Sequence, residues 1–349
     1  MKQTNDLNIR SFDPIIPPAE LKSLFPMQEE SNRTVIESRE IISNILAKKD
    51  RRMIAIVGPC SIHDPDAALE YAGKLKKLAE TVRDTFYVVM RVYFEKPRTT
   101  VGWRGMIIDP DLDGSYDIEK GLKTARKLML DISATGLPVG SEVLDPIIPQ
   151  YISDLISWAS IGARTTESQT HREMTSGLSM PVGFKNGTSG NLQLAFDALK
   201  SSKHPHSFLG IDQKGQTCVV NTKGNDAVHI ILRGGRSGPN YYEETVEDAA
   251  ERMEEEGLEP SIVVDCSHSN SGKNFRKQER VLRSVIEQKM RESRALVGFM
   301  MESNLSEGKQ DIDEKKNLVY GCSVTDECVG WEETEEMVLS GYEKLKRRE

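Results

Sequence analysis

The chain has 349 residues, of which 38% are hydrophobic and 29% charged, a composition typical of globular proteins rather than disordered ones. The formal net charge of -8 argues against a broad surface for nucleic acid or anionic membrane, because both partners require a positive field. No stretch approaches the ~20 apolar residues of a membrane span, and residues 1–10 lack an apolar signal core, so we expect a cytoplasmic protein without a membrane partner. Five cysteines without a secretory signal argue against a disulfide framework.

Residues 1–45 are predicted to form an N-terminal extension with an interface or regulatory role. The segment begins with the proline-dotted run DPIIPP and then becomes amphipathic. Apolar residues recur there at helical spacing, at Val35, Ile36, Ile41, Ile42, Ile45 and Leu46. This spacing predicts a helix that either plugs the bottom of a barrel or covers a subunit interface. Residues 46–349 are then assigned to one catalytic domain.

Eight short apolar runs are the main pattern of that domain, and each ends at a polar or charged residue of the kind that binds phosphate, carboxylate or metal. In order they read MIAIVGPC, FYVVMRVYFEKPRT, LPVGSE, SIGARTTE, MPVGFKNGT, VHIILRGGR, SIVVDCSH and LVGFMMES. Helical-looking sequence separates most of them. The alternation predicts an α/β fold, a (β/α)8 TIM barrel whose strand ends form one active site.

Most connections between the runs are predicted as helices. Asp64 and Pro65 favour a helix over DAALEYAGKLKKLAETV, because Asp caps free amides and Pro suits the first turn. Further helices are predicted over IEKGLKTARKLMLDIS, QYISDLISWA, LQLAFDALKSS, YEETVEDAAERMEEEG and FRKQERVLRSVIEQKM, with a final helix ending in KLKRRE. The segment SFLGIDQKGQTCVVN has two β-type runs around the turn signal DQKG, which predicts a β-hairpin inserted between barrel strands 5 and 6.

Four potential metal ligands are distant in sequence but would converge in a barrel. Cys60, His268 and Glu302 follow strands one, seven and eight, which are neighbours in a closed barrel, and Asp326 lies in the following loop. A thiolate, an imidazole and two carboxylates form a mixed donor set compatible with Mn, Fe, Co or Zn. Taken singly, they could be a buried small hydrophobe, a core histidine, a salt-bridge partner and a helix cap. Their common place at one rim favours the metal interpretation.

Cationic side chains recur after the apolar runs, at Arg91, Lys96, Arg98, Arg164, Lys185, Arg233 and Arg236. Guanidinium groups bind phosphate and carboxylate at two points, whereas lysines act as compact charges. Each cation could be an ordinary surface charge, or an ion-pair partner of Glu95, Glu142, Glu167 or Asp265. Their repetition strand after strand favours the binding of two phosphorylated substrates. No GxGxxG or GxxxxGK[ST] pattern supports nucleotide binding.

The longest motifs resemble one enzyme family. GPCSIHD, RVYFEKPRTTVGWRG, DPDLDGSY, GARTTESQTHRE, PVGFKNGT, HIILRGG, VDCSHSN and SVTDECVGWE are similar to type I 3-deoxy-D-arabino-heptulosonate 7-phosphate (DAHP) synthases. The resemblance runs from about residue 1 to residue 349. It implies a metal-dependent TIM barrel that condenses phosphoenolpyruvate with erythrose 4-phosphate and releases phosphate, the first step of the shikimate pathway. It also implies a homodimer or homotetramer.

The resemblance assigns roles to individual residues. The divalent metal would be bound by Cys60, His268, Glu302 and Asp326. Phosphoenolpyruvate would be held by Arg91, Lys96, Arg164, Lys185 and Arg233. The aldose phosphate would be bound by Lys96, Pro97, Arg98 and Thr99. Lys96 would act in catalysis with Cys60 and His268, and it is the candidate proton donor to the new alkoxide. The run RGGRSGPN is one residue longer than the usual motif, which makes Arg236 a weaker candidate than Arg233.

Feedback inhibition by an aromatic amino acid is also implied by the resemblance. The inhibitor would bind near the inserted hairpin and the N-terminal segment, at Asp6, Pro149, Gln150, Ser179, Phe208, Gly210 and Val220. Glycine at position 210, together with the sequences GLSMPVGFKNGT and VDCSHSN, is most similar to the tyrosine-sensitive branch.

Other functions fit parts of the same pattern. A synthase that joins phosphoenolpyruvate to another phosphosugar, such as arabinose 5-phosphate, would share the barrel and the cations, although KPRTTVGW favours the shorter aldose. A non-catalytic sensor would keep the amino-acid site but would not need all four ligands and five cations. A nucleic-acid-binding module is disfavoured by the acidic charge balance.

Overall fold

A computed structural model describes residues 2–98, 100–312 and 318–347. Ten strands are found there: β1 (Met53–Gly58), β2 (Phe86–Arg91), β3 (Val139–Glu142), β4 (Trp158–Ile161), β5 (Val182–Lys185), β6 (Ser207–Ile211), β7 (Thr217–Asn221), β8 (Val228–Leu232), β9 (Ile262–Asp265) and β10 (Leu296–Glu302). The helices are α1 (Pro18–Leu24), α2 (Glu29–Leu46), α3 (Pro65–Thr81), α4 (Ile118–Ala134), α5 (Pro149–Ile152), α6 (Gln169–Thr175), α7 (Gln193–Lys203), α8 (Glu243–Glu255), α9 (Gln278–Met290) and α10 (Trp331–Lys346).

Eight of the strands close into a parallel barrel. Their order is β1-β10-β9-β8-β5-β4-β3-β2, and β1 pairs with both β2 and β10 to complete the ring. Nearly every strand residue is buried, because helices cover the outside and side chains fill the inside. The structure therefore confirms the predicted (β/α)8 barrel.

Helix α2 closes the bottom of this barrel. Alternate residues of the strands, among them Ile54, Val263 and Met300, pack together inside the barrel with Ile42 and Ile45 of α2. The hydroxyl of Ser261, just before β9, donates to the Leu46 carbonyl at 2.7 Å. The guanidinium of Arg39 donates to the Ser153 and Ile156 carbonyls, which precede β4. Helix α2 therefore packs in the position expected of a plug, and the interface role of residues 1–45 stays a prediction.

Most predicted helices are present, and one is wrong over its last four residues. Asp64 caps α3 as expected, since its Oδ1 accepts from the Asp66 and Ala67 amides at 2.9 and 3.2 Å. The helix predicted over QYISDLISWA ends after α5 and a single 3-10 turn, and Trp158 belongs to β4. The Trp158 ring is fully buried and its Nε1 donates to His229 Nε2 at 3.2 Å, so tertiary packing overrides the helical pattern. Helices α1 and α6 were not predicted.

The inserted hairpin is confirmed as the antiparallel pair β6–β7 between barrel strands β5 and β8. Its turn contacts two other elements through Gln213. The side-chain Nε2 of Gln213 donates to Gln150 Oε1 of α5 at 2.9 Å, and its side-chain Oε1 accepts from Lys22 Nζ of α1 at 2.9 Å. The Gln213 carbonyl also accepts from the Ala19 amide at 2.8 Å. The hairpin is therefore tied to the N-terminal segment and to the start of α5.

The end of α10 lies at the bottom of the barrel. Lys346 Nζ is 3.5 Å from a carboxylate oxygen of Asp84, which stands in the turn just before β2. The C-terminal helix thus finishes on the side opposite the carboxyl ends of the strands. Among the described helices, none combines the length and apolar character needed to cross a membrane.

Candidate active site

The carboxyl ends of the barrel strands surround a cavity of about 340 Å³. Most of the predicted site residues line it: Lys96, Pro97, Arg98, Arg164, Lys185, Arg233, His268, Glu302 and Asp326. Cys60 and Arg91 are fully buried in its wall. Thr99 lies outside the described residues, and Arg236 is not among the lining residues. The predicted convergence on one rim is therefore what the structure shows.

Three of the four predicted metal ligands form one compact group. Cys60, Glu302 and Asp326 each offer a ligand atom within 4.8 Å of the other two. Cys60 Sγ is 3.6 Å from Asp326 Oδ2, and His268 Nε2 is 4.0 Å from Glu302 Oε1. Burial, followed by the charge of Glu302, raises the pKa of the Cys60 thiol to about 12. A bound cation would reverse this effect, because metal coordination deprotonates a thiol.

The fourth ligand candidate, His268, is held in place by its neighbours. Its Nδ1 lies 2.9 Å from Asp265 Oδ2 and 2.7 Å from the Ser267 hydroxyl. Nε2 is left to face Glu302, an arrangement typical of metal-binding histidines. Its backbone adopts φ 55°, a left-handed conformation that non-glycine residues seldom adopt. Although burial alone would raise the pKa of Asp265, His268 and Lys185 hold it well below its ordinary value.

Arg91 lies deepest among the cations. Its Nη2 donates to Glu302 Oε1 at 3.2 Å, and its guanidinium lies 4.0 Å from the centre of the Tyr93 ring. Nη1 is buried and has no hydrogen-bond partner among the described residues. A buried cationic N–H without a partner is costly, so it fits an anion bound from the cavity.

Two lysines stand between the donor set and the rest of the cavity. Lys96 Nζ donates to Cys60 Sγ at 3.0 Å and to the Cys60 carbonyl at 3.2 Å. Lys185 Nζ lies 3.3 Å from Glu142 Oε2 and 3.7 Å from Asp265 Oδ2. Burial opposes both ammonium groups, but the surrounding anions outweigh it and raise the pKa of each lysine. Both lysines are therefore charged at neutral pH.

Several cavity residues were missed as site candidates from the sequence. Glu142 was considered only as an ion-pair partner, yet its buried carboxylate lines the cavity. Although burial alone would raise the pKa of Glu142, Lys185 and Lys96 lower it. Its position at the end of the run LPVGSE was the available signal. Lys273 and Lys309 lie farther along their loops, where no local pattern marks them.

The predicted inhibitor residues are only partly brought together. Phe208 pairs with Val220 across the hairpin, and a Cβ added to Gly210 would lie 2.8 Å from Val220 Cγ2. Gln150 reaches the hairpin through Gln213, and Pro149 begins α5 beside it. No hydrogen bond in the described part of the chain links Asp6 or Ser179 to this group.

Comparison with known proteins gives a consistent result. Residues 26–339 match the sequence model of the DAHP synthetase I family. The Tyr-sensitive phospho-2-dehydro-3-deoxyheptonate aldolase of Escherichia coli (strain K12) is 50% identical over 98% of this chain and 96% of its own length. The Phe-sensitive protein of the same organism is 48% identical over 99% of both chains.

A solved structure extends this likeness to three dimensions. The phospho-2-dehydro-3-deoxyheptonate aldolase from Francisella tularensis SCHU S4 superimposes with a TM-score of 0.96 at 48% identity. The match covers 98% of this chain and 100% of that one. The family model spans most of the chain, and the identities hold over nearly its full length. This chain therefore belongs to the DAHP synthetase I family.

Proposed function

We propose that this chain condenses phosphoenolpyruvate with D-erythrose 4-phosphate to give DAHP and phosphate, the first step of the shikimate pathway to the aromatic amino acids. One observation carries the proposal: a thiol, an imidazole and two carboxylates adjoin a group of buried cations in a single cavity. Relatives with about 50% sequence identity are named for the same activity.

Phosphoenolpyruvate is assigned to the deep part of the cavity. Arg91, Lys96, Lys185 and Arg233 present their charges there, with Arg164 nearer the rim. The Nη1 group of Arg91 is available to the substrate carboxylate, and the remaining cations would neutralise its phosphate. These contacts hold two anions together against their repulsion and set their relative orientation.

The aldose is assigned to the segment that follows β2. Lys96, Pro97 and Arg98 line the cavity, and the exposed guanidinium of Arg98 is placed to bind a phosphate that arrives from solvent. Thr99 completes this group as a prediction from the sequence. Lys96 would then contact both substrates.

A divalent ion, Mn, Fe, Co or Zn, would be bound by Cys60, His268, Glu302 and Asp326. The donor atoms fit such an ion, since a soft thiolate and an imidazole are combined with hard carboxylates at close range. When bound, the metal supplies a Lewis acid that polarises the aldehyde oxygen of the aldose. The chain's own residues then position the two substrates and move the protons.

Two residues are assigned to proton transfer. Carbon 3 of phosphoenolpyruvate attacks the aldehyde, and the Lys96 ammonium, beside Cys60, donates a proton to the alkoxide that forms. Water adds at carbon 2, where positive charge develops, and the resulting phosphohemiketal expels phosphate, which takes the hydroxyl proton as the carbonyl forms and the carbon–oxygen bond to phosphate breaks. Glu142 accepts the proton of that water, because it is the buried carboxylate of the cavity that stands outside the donor set. Lys185 orients it at 3.3 Å.

A turnover assay with phosphate release as the readout tests this proposal. Each metal is combined with phosphoenolpyruvate and either erythrose 4-phosphate or arabinose 5-phosphate. We expect metal-dependent release with the shorter aldose alone. Release with arabinose 5-phosphate alone would indicate the alternative synthase, and no consumption of phosphoenolpyruvate with any metal would indicate a non-catalytic sensor.

We also propose feedback inhibition, with tyrosine as the inhibitor. Support comes from the hairpin face, where Gly210 packs so closely beside Phe208 and Val220 that an added Cβ would lie 2.8 Å from Val220 Cγ2. The 50% identical relative is named as Tyr-sensitive, and the 48% identical one as Phe-sensitive. Inhibition by phenylalanine or tryptophan, but not by tyrosine, would contradict this assignment.

The N-terminal extension, residues 1–45, is assigned an interface or regulatory role in a homodimer or homotetramer. Apolar side chains on the extension and the hairpin remain exposed in the single chain, among them Phe12, Leu209 and Val219. The free thiols, one of them in the donor set, fit a reducing compartment such as the cytoplasm.

A further inference from the structure

A second cavity, of about 440 Å³, adjoins the active-site cavity at the rim. It lies between the loop that follows β8, the loop that follows β9 and the start of α9. Ser271 and Lys273 line both cavities, so the two are adjacent at these residues. We name this second cavity the basic cleft, after its side chains Tyr241, Tyr242, Lys273, Lys277 and Arg280.

The basic cleft carries a local concentration of positive charge. Lys273, Lys277 and Arg280 line it, and none of its lining residues is acidic. Within the described part of the chain, no carboxylate lies within 4.0 Å of these three cations. Their neighbours Arg276 and Arg283 do form such pairs, with Glu307 at 2.9 Å and Glu279 at 3.7 Å. In a chain of net charge -8, this is a local positive field directed into a cavity.

A strained loop sets the position of Lys273. His268 and Lys273 have φ values of 55° and 60°, a left-handed conformation that is unfavourable for non-glycine residues. The loop is held in this form by the Lys273 amide, which donates to the His268 carbonyl at 2.7 Å. The strained backbone thus keeps the Lys273 ammonium where the two cavities adjoin, and an anion moving from one cavity to the other would pass close to it.

The remaining wall of the basic cleft is aromatic and firmly held. The Tyr241 and Tyr242 rings pack against each other at a tilt of 34°, with centroids 4.5 Å apart. Gln288 of α9 donates to the Tyr241 carbonyl at 2.8 Å, which ties this segment to the helix that carries Arg280. The wall therefore offers a fixed aromatic surface.

We propose that the basic cleft binds a phosphate dianion and is the route by which the phosphate released in the reaction leaves the active site. The exit role rests on the proposed function, in which phosphate is a product. Because α2 closes the bottom of the barrel, every product must leave across the rim. Lys273 receives the phosphate from the active-site cavity, and Lys277 and Arg280 bind it outside.

Titration of the full-length protein with inorganic phosphate, by calorimetry at constant ionic strength, tests this inference. The test variant is Lys277→Gln/Arg280→Gln. The control, Arg276→Gln/Arg283→Gln, removes the same charge from the same segment outside the cleft. We expect two classes of phosphate site in the parent and the control, and loss of one class, or weakening by about tenfold or more, in the cleft variant. Equal phosphate binding by the cleft variant and the control would overturn the inference.

Two further arms separate the possible failures. If the parent turns over and the cleft variant still binds phosphate like the control, only the cleft inference fails. If the parent does not turn over but the cleft variant alone loses a phosphate class, the phosphate site stands and the proposed function fails. Erythrose 4-phosphate is the second titrant. Loss of its binding, with phosphate binding retained, would indicate an entry site and overturn the exit role.

Discussion

At the scale of single residues, the site is built from side chains that are both charged and buried. Arg91, Lys185 and Glu302 are 0%, 3% and 2% exposed. Burying one such charge is costly unless a partner of opposite charge is close, and removing either partner leaves the other uncompensated. Substitutions of these residues should therefore lower stability as well as activity, so folding must be measured beside turnover.

Cys60→Ala tests the donor set with the smallest change in volume. We expect turnover to fall by at least about 100-fold, because even residues that only support metal ligands change affinity or activity by 10–100-fold. The circular dichroism spectrum should remain that of the parent, since a thiol-sized cavity is small. Metal content after dialysis is the direct measurement. Full activity of this variant after exhaustive chelation would refute the ligand role.

Arg164→Ala and Arg98→Ala test the division of the cavity between the two substrates. Loss of a charge-assisted contact weakens binding by about 1.5–3 kcal/mol, or roughly 10- to 100-fold. We expect Arg164→Ala to weaken chiefly the use of phosphoenolpyruvate, and Arg98→Ala that of the aldose. Each variant serves as the control for the other, with KM and kcat measured for both substrates. The opposite pattern would exchange the two assignments.

Glu95 predicts a pH dependence of stability. Burial raises its pKa to about 8, from an ordinary value of 4.5. Between these values the folded chain keeps a proton that the unfolded chain has lost, so Glu95 makes the free energy of unfolding fall as pH rises. Glu95→Gln should remove this contribution, a few kcal/mol, and flatten the decline. Urea unfolding at several pH values measures it.

The matched control for this experiment is Glu37→Gln, which changes an exposed glutamate of α2. It should leave the slope of stability against pH as in the parent. The Glu95→Gln effect should also be absent below pH 4.5, where both states of the parent hold the proton. Parallel curves for the parent and Glu95→Gln across the whole range would refute the buried-acid interpretation.

The sequence pattern predicted the position of those candidate residues that directly follow a buried strand. Lys185 and Glu302 each end a strand, and Cys60 comes two residues after one, so the barrel pattern alone places them at the rim. Lys273 and Lys309 escaped notice because their place in the cavity depends on the path of long loops. Asp265 was read only as an ion-pair partner, since its contact with His268 requires a backbone conformation that no local pattern reveals.

At the scale of elements, the local sequence pattern predicted those helices and turns whose conformation is not overridden by tertiary packing. The Asp64 cap and the DQKG turn are decided by neighbouring residues, and both appear as expected. The segment around Trp158 has an apolar spacing that suits a helix equally well. Its conformation is decided by pairing with Gly140 of β3 and by burial of the indole inside the barrel. Such information lies outside the segment itself.

The hairpin turn predicts an effect on inhibition at the level of elements. Gln213→Ala removes the hydrogen bonds that join the turn to Gln150 of α5 and Lys22 of α1. If tyrosine binds between these elements, the concentration for half-inhibition should rise about fivefold, the equivalent of roughly 1 kcal/mol. Lys214→Ala, an exposed change in the same turn, is the control. Equal concentrations for half-inhibition of Gln213→Ala and Lys214→Ala would show that the contacts of the turn have no part in inhibition.

At the scale of the whole molecule, exposed apolar surface predicts assembly. Leu209 and Val219 face each other across the hairpin and are 79% and 60% exposed in the single chain. Leu209→Lys/Val219→Lys should therefore leave the folded chain intact but reduce the molar mass in sedimentation equilibrium, because charge would be buried at a subunit interface. The control, Leu69→Lys/Val319→Lys, changes residues that are 37% and 58% exposed outside both the hairpin and the N-terminal extension. The hairpin would be excluded as the interface if the control dissociated, or if the hairpin variant did not dissociate.

The position of the last helix has a practical consequence. Helix α10 finishes beside Asp84, at the opposite pole from the catalytic mouth. A linker continued from α10 to a resin or sensor chip would hold the enzyme with its mouth toward the flowing solution. Substrates would then reach the active site directly from solution, without diffusing through the gap between the protein and the support. An anchor placed in the loop after β10 would turn the mouth toward the support and slow their access.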